Sequence, residues 1–271
     1  MRNDLSGSTI LVTGASSGIG REMVRIVARK AKALVLVARR QDRLEALQSE
    51  ILTLNPGLRV LCISADLSKQ ASIDQLLQAL SSEKIEVDHL INNAGLGDFT
   101  PLEKSNWNKL EQMISTNVVA PVYLAHRLLE GMLRRGRGGI LNVGSTAGML
   151  PIPYFSAYCG TKYFMSGFSQ SLRCELAGTN VTVTELCPGP VATEFESIAG
   201  ENIDVQVPKW VEISAPDCAR AAISGFEAGR ARVIPGASMK VGMFLMNFVP
   251  LPVTRLFQGN FAKVVRRKYF S

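Results

Sequence analysis

The chain reads as an α/β protein, with one parallel, doubly wound sheet covered by helices on both faces and a basic, apolar carboxyl-terminal extension. Three observations predict this. Short apolar runs alternate with helical stretches from residue 8 to residue 236, without a linker or low-complexity break. A repeated βαβαβ order is the pattern of a parallel sheet whose crossovers are helices. The first apolar run passes straight into a glycine-rich turn and then a helix. Finally, 271 residues that are 46% hydrophobic supply an ample core for one large domain. The expected organisation is a nucleotide-binding and catalytic domain over residues 1–236 and an extension over residues 237–271.

Ser8 to Val12 is the first strand, a short apolar run of the buried kind. It enters Thr13-Gly14-Ala15-Ser16-Ser17-Gly18-Ile19-Gly20, and Arg21 to Lys32 then reads as a helix with Met23, Val24, Ile26 and Val27 on its apolar side. Strand, tight glycine turn and helix together make a dinucleotide site. N–H groups at the helix start point at a pyrophosphate, and glycines let the backbone approach it. Gly14, Ser16, Ser17, Gly18, Ile19 and Gly20 are assigned to it. Ala33 to Ala38 is the second strand and ends at Arg39-Arg40. A site selective for NAD usually places Asp or Glu here, to accept the ribose 2′-OH. Arginine instead forks onto a 2′-phosphate, which a carboxylate would repel. NADP(H) is therefore expected ahead of NAD(H), with Arg39 the first choice and Arg40 the second. The plain alternative is two solvated charges opening the next helix.

Arg59 to Ala65 is the third strand and leads to Asp66-Leu67; His89 to Ile91 is the fourth and leads to Asn92-Asn93-Ala94-Gly95. Asp66 is also a sound helix cap. Gly139 to Val143 is the fifth strand and delivers Ser145 at its carboxyl end, the edge at which open α/β sheets bind ligands. Val181 to Leu186 is the sixth and ends at Cys187-Pro188-Gly189.

Tyr158 and Lys162 stand one helical turn apart, so they share a helix face. A free tyrosine titrates near 10 and is a poor acid or base at neutral pH. An ammonium ~4 Å away, at an effective dielectric of ~20, favours the phenolate by roughly 4 kcal/mol before desolvation is subtracted. That brings the phenol toward the range in which proton transfer is efficient. Ser145 would then hold the substrate oxygen while Tyr158 handles its proton. Taken alone, such a pair on a helix is usually solvated surface; the surrounding motifs decide otherwise.

Those motifs are Thr13-Gly14-x-x-x-Gly18-x-Gly20, Asn92-Asn93-Ala94-Gly95, Asn117, Ser145, Tyr158-x-x-x-Lys162 and Pro188-Gly189. In this order they resemble the short-chain dehydrogenase/reductase family over about residues 6–236. The resemblance implies a Rossmann fold, a nicotinamide cofactor and a catalytic group of Asn117, Ser145, Tyr158 and Lys162. It implies that Asn117 kinks its helix and holds a water in a proton relay ending at Lys162. Pro121, four residues on, independently predicts a disturbed helix there. It implies further that Lys162 binds the nicotinamide ribose, that Asp66 with Leu67 approaches the adenine, and that Val191 and Thr193, beside Pro188 and Gly189, hold the carboxamide. Thr193 is equally a cap for the helix after it. The small Ala94 and Gly95 would admit the adenosine ribose, while Asn92 and Asn93 tie the strand end to its neighbours; Asn93 is assigned with them to the cofactor site and Asn92 is the structural member of its pair.

The pocket expected beside this group is apolar, from Leu96, Met149, Leu150, Pro151, Ile152, Pro153, Phe155 and Ile198. The expected substrate is a hydrophobic ketone or secondary alcohol. A 3-oxoacyl reductase is the runner-up, and an NADP(H)-binding sensor or scaffold without turnover is the rival from another class. Five cysteines without a Cys-x-x-Cys pair and only two histidines predict neither a metal site nor a disulfide framework. They fit a reducing, cytoplasmic setting. No apolar signal core precedes residue 8, and no nucleic-acid motif accompanies the basic charge. A homodimer or homotetramer is expected.

The extension carries its own pattern. Residues 228–271 hold eight basic residues and no acidic one, so the body is near neutral and the tail supplies the net charge of +7. Val241, Phe244, Leu245, Phe248, Leu256 and Phe257 are interspersed with Asn247, Pro250 and Pro252. The run falls short of a membrane span and resembles an interfacial segment. Packing on its own domain, covering the pocket, packing on a second subunit and peripheral membrane contact all remain open at this point.

Overall fold

A computed structural model describes residues 3–199, 211–246 and 248–270. In chain order the elements are β1 (Thr9–Thr13), α1 (Gly18–Val27), β2 (Ala33–Ala38), α2 (Gln41–Leu54), β3 (Arg59–Ser64), α3 (Gln70–Ser82) and β4 (His89–Asn92). Then follow α4 (Trp107–Ile114), α5 (Ala120–Arg134), β5 (Gly138–Val143), α6 (Ser156–Glu175), β6 (Val181–Leu186), β7 (Val191–Ala192) and α7 (Glu194–Ala199). The chain closes with β8 (Ile213–Ser214), α8 (Ala215–Glu227), β9 (Arg232–Val233), α9 (Ala237–Met246) and α10 (Leu251–Tyr269). Seven strands form one parallel sheet in the order β3-β2-β1-β4-β5-β6-β9.

The sheet is buried on both faces, which is why its strands read as continuous apolar runs. All six residues of β2 are buried. Successive side chains of a strand point to opposite faces. Ile10, Val12, Leu34 and Leu36 accordingly join one core with Met23, Val24, Val27 and Phe226. Leu11, Val35 and Val37 join the other with Leu90, Leu124, Ile140 and Leu172. Chain order runs outward from β1 in one direction through β2 and β3, then restarts at β4 on the other side. The carboxyl ends of β1 and β4 therefore flank the crevice where open sheets of this kind take ligands.

Two local features differ from the sequence expectation, and a third, the disturbed helix before Pro121, agrees with it. The first helix begins at Gly18 rather than Arg21, because the last glycines of the turn already belong to it, and it ends at Val27 rather than Lys32. The two-residue pair β7–β8 and the short β9 are too brief to leave a periodic signal. Between α4 and α5 the helix widens into a π-turn over Ser115–Val119, with the Ala120 N–H reaching back five residues to the Ser115 carbonyl. Pro121 lacks the N–H that would bond to the Asn117 carbonyl, and its ring would press on that carbonyl in a regular helix. A single π-turn relieves the clash.

The extension packs on the domain. Met243, Thr254 and Val265 are buried. The Tyr154 hydroxyl donates to the Ala262 carbonyl at 2.6 Å, Gln258 donates to the Pro151 carbonyl at 2.7 Å, and Arg266 pairs with Glu103 at 2.6 Å. No helix among the described residues is long and apolar enough to cross a membrane.

Phe226 is the largest fully buried side chain and meets the His89 ring edge-on at 5.6 Å. Phe226→Ala is expected to lower the unfolding free energy by about 3–5 kcal/mol. Leu133→Ala, at an exposed position, should stay within about 0.5 kcal/mol. Urea denaturation of the two variants beside the wild type checks the contrast.

Candidate active site

The crevice opens into a cavity of about 650 Å³. One end is lined by Gly14, Ser16, Ser17, Gly18 and Ile19 with Ala38, Arg39, Arg40, Asp66 and Leu67; the middle by Asn93, Ala94 and Gly95 with Pro188, Gly189, Val191 and Thr193; the far end by Ser145, Tyr158, Lys162 and an apolar wall. Residues scattered over the whole sequence thus reach one space because each follows the carboxyl end of a strand.

The turn after β1 is tied down by side chains. Gly14 has φ +65, a left-handed conformation that glycine adopts without strain. A Cβ at Gly20 would lie 2.3 Å from the Gly14 carbonyl oxygen, so the helix start approaches the turn as closely as only glycine permits. Gly20 is accordingly buried and sits behind the turn, outside the cavity lining. Ser17 stands at the cap position of α1 without capping it, which leaves first-turn N–H groups to face the cavity. These groups, with Arg39, Arg40 and Lys162, form a donor set suited to an anionic dinucleotide.

The two arginines differ. Arg40 donates to the Ser17 hydroxyl at 2.9 Å and the Ser16 hydroxyl at 3.3 Å, and pairs with Glu194 at 2.9 Å across the cavity mouth. It is not a solvated charge. Arg39 is exposed at the cavity edge; against the upward push of burial, the hydrogen bonds from Ser68 hold the Asp66 carboxyl below its ordinary range, with smaller pulls from Lys69 and Arg39. Asp66 also accepts from the Ser68 N–H at 3.1 Å and from the Ser68 hydroxyl, a turn before α3 rather than a cap on it. Thr193 lines the cavity and accepts from the Phe195 N–H in the first turn of α7, the contact of a helix cap.

Asn92 bonds to Asn142 and the Pro121 carbonyl inside the sheet. The Asn93 amide donates to the Thr13 and Gly14 carbonyls at 2.9 and 3.1 Å. Asn117 is buried behind the wall. Its side chain accepts from the Leu96 N–H at 2.8 Å and donates to the Leu96 carbonyl and the Thr161 hydroxyl. It does not line the cavity, whereas its neighbour Thr116 does.

Burial overturns the expected depression of the tyrosine. Desolvation raises the Tyr158 phenol well above the ordinary tyrosine range, with a Ser145 hydrogen bond pulling weakly the other way. Burial also pushes the Lys162 ammonium down to about 8, against the pull of Cys187 and Glu185. The ammonium lies 5.6 Å from the centre of the phenol ring and donates to the Val143 carbonyl at 2.8 Å. At that distance, and with both groups out of water, desolvation outweighs the Coulombic gain. At neutral pH the pair is a neutral phenol beside a mostly protonated lysine.

The apolar end differs from the expected set. Leu96, Ile152 and Phe155 line it; Met149, Leu150, Pro151 and Pro153 do not, and the two prolines border a second, smaller cavity. The Ile198 side chain lies outside the described residues. Phe99, Phe195 and Phe261 complete the wall and were not foreseen. Phe195 follows Thr193 by two residues and was within reach of the motif. Phe261 arrives from α10, far from any motif. Phe155 stacks on Tyr158 at 4.1 Å, and Phe195 lies 5.6 Å from it. Met239 of α9 lies over Gly189, where an added Cβ would be 2.5 Å from it.

With this geometry in view, the comparisons with known proteins are direct. The family model described as short chain dehydrogenase matches residues 8–203. The chain belongs to the short-chain dehydrogenase family. The dehydrogenase is 37% identical over 205 residues to an NADP-dependent 3-hydroxy acid dehydrogenase of Salmonella typhi, covering 75% of this chain and 81% of that one. A short-chain dehydrogenase from Sphingobium yanoikuyae, solved with NADPH, superposes with a TM-score of 0.78 at 31% identity, over 90% of this chain and 97% of that one. The bulky-bulky ketone specific alcohol dehydrogenase from Comamonas testosteroni superposes with a TM-score of 0.74 at 27% identity, over 90% and 95%.

The buried lysine leaves a signature in stability. The folded dehydrogenase holds Lys162 at about 8, and its ordinary value is 10.5. Below pH 8 both folded and unfolded chains carry the proton, and the folded state bears the whole cost of the buried charge. As pH rises above 8 the folded state loses the proton first, the unfolded state binds more protons, and stability increases. Lys162→Met should therefore be more stable than the wild type at pH 7, by up to about 3 kcal/mol, and the difference should shrink between pH 8 and 10. Denaturant titrations at three pH values test this; a difference that stays constant with pH contradicts it.

Proposed function

We propose that this enzyme interconverts a bulky hydrophobic ketone and its secondary alcohol, with Tyr158 as the acid–base group. The enzyme class is plain: it is an NADP(H)-dependent short-chain oxidoreductase that acts on hydrophobic oxo or hydroxy compounds. One observation carries the finer reading. Ser145, Tyr158 and Lys162 converge at one end of a cavity whose wall there is Phe99, Ile152, Phe155, Phe195 and Phe261. Among the described residues, the charged side chains lining the cavity are Arg39, Arg40, Asp66, Lys162 and Glu194. Apart from Lys162, all belong to the nucleotide end, so nothing described beside the substrate would recognise a carboxylate. That favours a neutral, apolar substrate over a hydroxy acid.

The bound nicotinamide supplies or takes the hydride. Ser16, Ser17 and the start of α1 would hold its pyrophosphate, Arg39 and Arg40 the 2′-phosphate, and Lys162 the ribose nearest the reacting end. Tyr158 enters the reduction as a neutral phenol, the state that burial imposes, and gives its proton to the substrate oxygen as charge develops there. The Ser145 hydroxyl accepts from the Ala147 N–H at 3.1 Å and donates to the Pro188 carbonyl over a long 3.4 Å. That weak bond exchanges readily for one to the substrate oxygen. The Lys162 ammonium stabilises the phenolate left behind. Asn117 and Lys162 both face the space beside Gly95, where an added Cβ would lie 3.5 Å from the Asn117 oxygen and 3.7 Å from the Lys162 nitrogen. This is the route by which the proton is replenished in the proposal.

The exposed Trp107, Ile114, Val119, Tyr163 and Phe164 support a homodimer or homotetramer. The five free cysteines support a reducing, cytoplasmic setting.

Tyr158→Phe should lower kcat on the best ketone by several orders of magnitude while leaving NADPH affinity within a few-fold. A folded Phe variant with wild-type turnover would remove Tyr158 from the mechanism. Arg39→Ala should raise the KM for NADPH at least tenfold more than that for NADH. Equal effects on the two cofactors would instead leave the choice to Arg40, already seated on Ser16 and Ser17. A carbonyl panel running from bulky apolar ketones to short oxo acids tests the substrate reading, which fails if the oxo acids are turned over best.

A further inference from the structure

We propose that the outer face of the α9–α10 extension is a docking surface for anionic lipid bilayers. Among the described residues, eight of the seventeen exposed large apolar side chains fall between residues 241 and 264 without lining the cavity. An even spread over the surface would put far fewer there, and a contiguous exposed patch of this kind marks an interaction site. Phe248 and Phe257 are about 70% exposed, at 72% and 71%.

Helical geometry separates the two faces of α10. At about 100° per residue, Thr254, Gln258, Ala262, Val265 and Tyr269 share one side. This is the side that packs on the domain, through the buried Thr254 and Val265 and the hydrogen bonds of Gln258 and Ala262. Val253, Leu256, Phe257 and Val264 lie well round the helix from it and are exposed. The side chains that would insert are therefore not the ones that hold the helix in place. On α9, Val241, Phe244 and Leu245 are exposed likewise, and Phe244 meets Phe248 edge-on at 5.2 Å.

Charge selects the partner. Between residues 237 and 271 the sequence has Lys240, Arg255, Lys263, Arg266, Arg267 and Lys268 and no acidic residue. Lys263 and Arg267 lie beside Leu256 in the apolar stripe of α10, Arg255 lies further round toward the packed side, and all three are exposed. A second copy of this surface would bring like charges together, whereas an anionic headgroup layer meets apolar and basic groups at once. No helix among the described residues is long and apolar enough to span a bilayer, and the proposed surface lies in the interfacial plane. Phe261, on the same helix, lines the cavity, which places the docked face one helix thickness from the substrate end.

Co-sedimentation of the full chain with phosphatidylcholine vesicles, with and without phosphatidylserine, tests the proposal. Binding to the phosphatidylserine vesicles that weakens at high salt is expected, with little binding to phosphatidylcholine alone. The triple variant Lys240→Ser, Arg255→Ser, Lys263→Ser should lower partitioning about a hundredfold, at about fivefold per charge. The triple variant Phe244→Ser, Phe248→Ser, Phe257→Ser should abolish it while nucleotide binding stays at the wild-type level. The readout needs no turnover, so its outcome is separate from the substrate reading. Absence of binding to anionic vesicles overturns the proposal. So does a wild-type oligomer that the phenylalanine variant dissociates, which would make the face a contact between copies.

Discussion

Everything in the active site hangs on the hydrogen-bonded knot that joins the ends of β1 and β4. Here the strands part and the main-chain ladder stops, because their continuations turn to opposite faces of the sheet. Side chains take over. The Thr13 hydroxyl accepts from the N–H groups of Asn93 and Ala94, both at 3.0 Å, and donates to the Ile91 carbonyl. The Asn93 amide returns two bonds to the Thr13 and Gly14 carbonyls. A buried backbone group left unpaired costs roughly 1–3 kcal/mol, so this closed exchange fixes the turn at a place where loops are usually mobile. The rigidity carries along the chain. Gly14 orients the start of α1, and Gly95 leaves room for Asn117 and Lys162 to approach from behind.

The same crevice sets the electrostatics. Placing an ammonium beside a phenol lowers the phenol's pKa in water, but in this cavity both groups are buried and the solvent they lose matters more. The folded enzyme thus holds a proton on Tyr158, ready to be given, and a lysine whose charge is kept partly by the acidic side chain of Glu185 behind it. Glu185 is itself fully buried, paired with Arg232 at 2.8 Å. A buried charge with one partner removed is strongly destabilising, so the two ends of this arrangement constrain each other. The stability that burying Lys162 forfeits is spent on positioning a charge where the reaction forms a phenolate.

The sequence made the sheet and the nucleotide end legible for a physical reason. Parallel strands buried on both faces, such as Ala33–Ala38, are unbroken apolar runs, and the turns that follow them carry residues whose chemistry is local: Gly14, Arg40, Ser145. The π-turn was legible too, because Pro121 removes a known hydrogen bond. The substrate end was not. Its wall is made of aromatic residues that meet only in the folded chain: Phe195 stands two residues past Thr193, but nothing in the sequence turns it toward Tyr158, and Phe261 lies far from any motif. Met149, Leu150, Pro151 and Pro153 looked equivalent to Ile152 and Phe155 by composition; the backbone turns them away. Nor could sequence weigh Coulomb attraction against desolvation at Tyr158, since it contains neither the burial nor the 5.6 Å separation.

That backbone turn also explains why the extension belongs to the site. Tyr154 is held at φ +67, a left-handed conformation that costs a residue with a side chain roughly 1–2 kcal/mol. Such strain persists only where the surroundings enforce it. They do so from α10. The Tyr154 hydroxyl is bonded to the Ala262 carbonyl, and its ring packs against Phe270 at 5.1 Å. Lys104 in turn holds the Phe270 carbonyl at 2.9 Å. On its other side Tyr154 meets Phe99 at 6.3 Å, Phe99 meets Phe155 at 5.5 Å, and Phe155 stacks on Tyr158. A continuous chain of rings therefore runs from the end of the extension to the phenol. The loop that carries Ile152 and Phe155 keeps its shape because α10 holds its most strained residue, and α10 is anchored in part by that same residue. The extension is thus a structural wall of the pocket on its inner side, whatever its outer side meets.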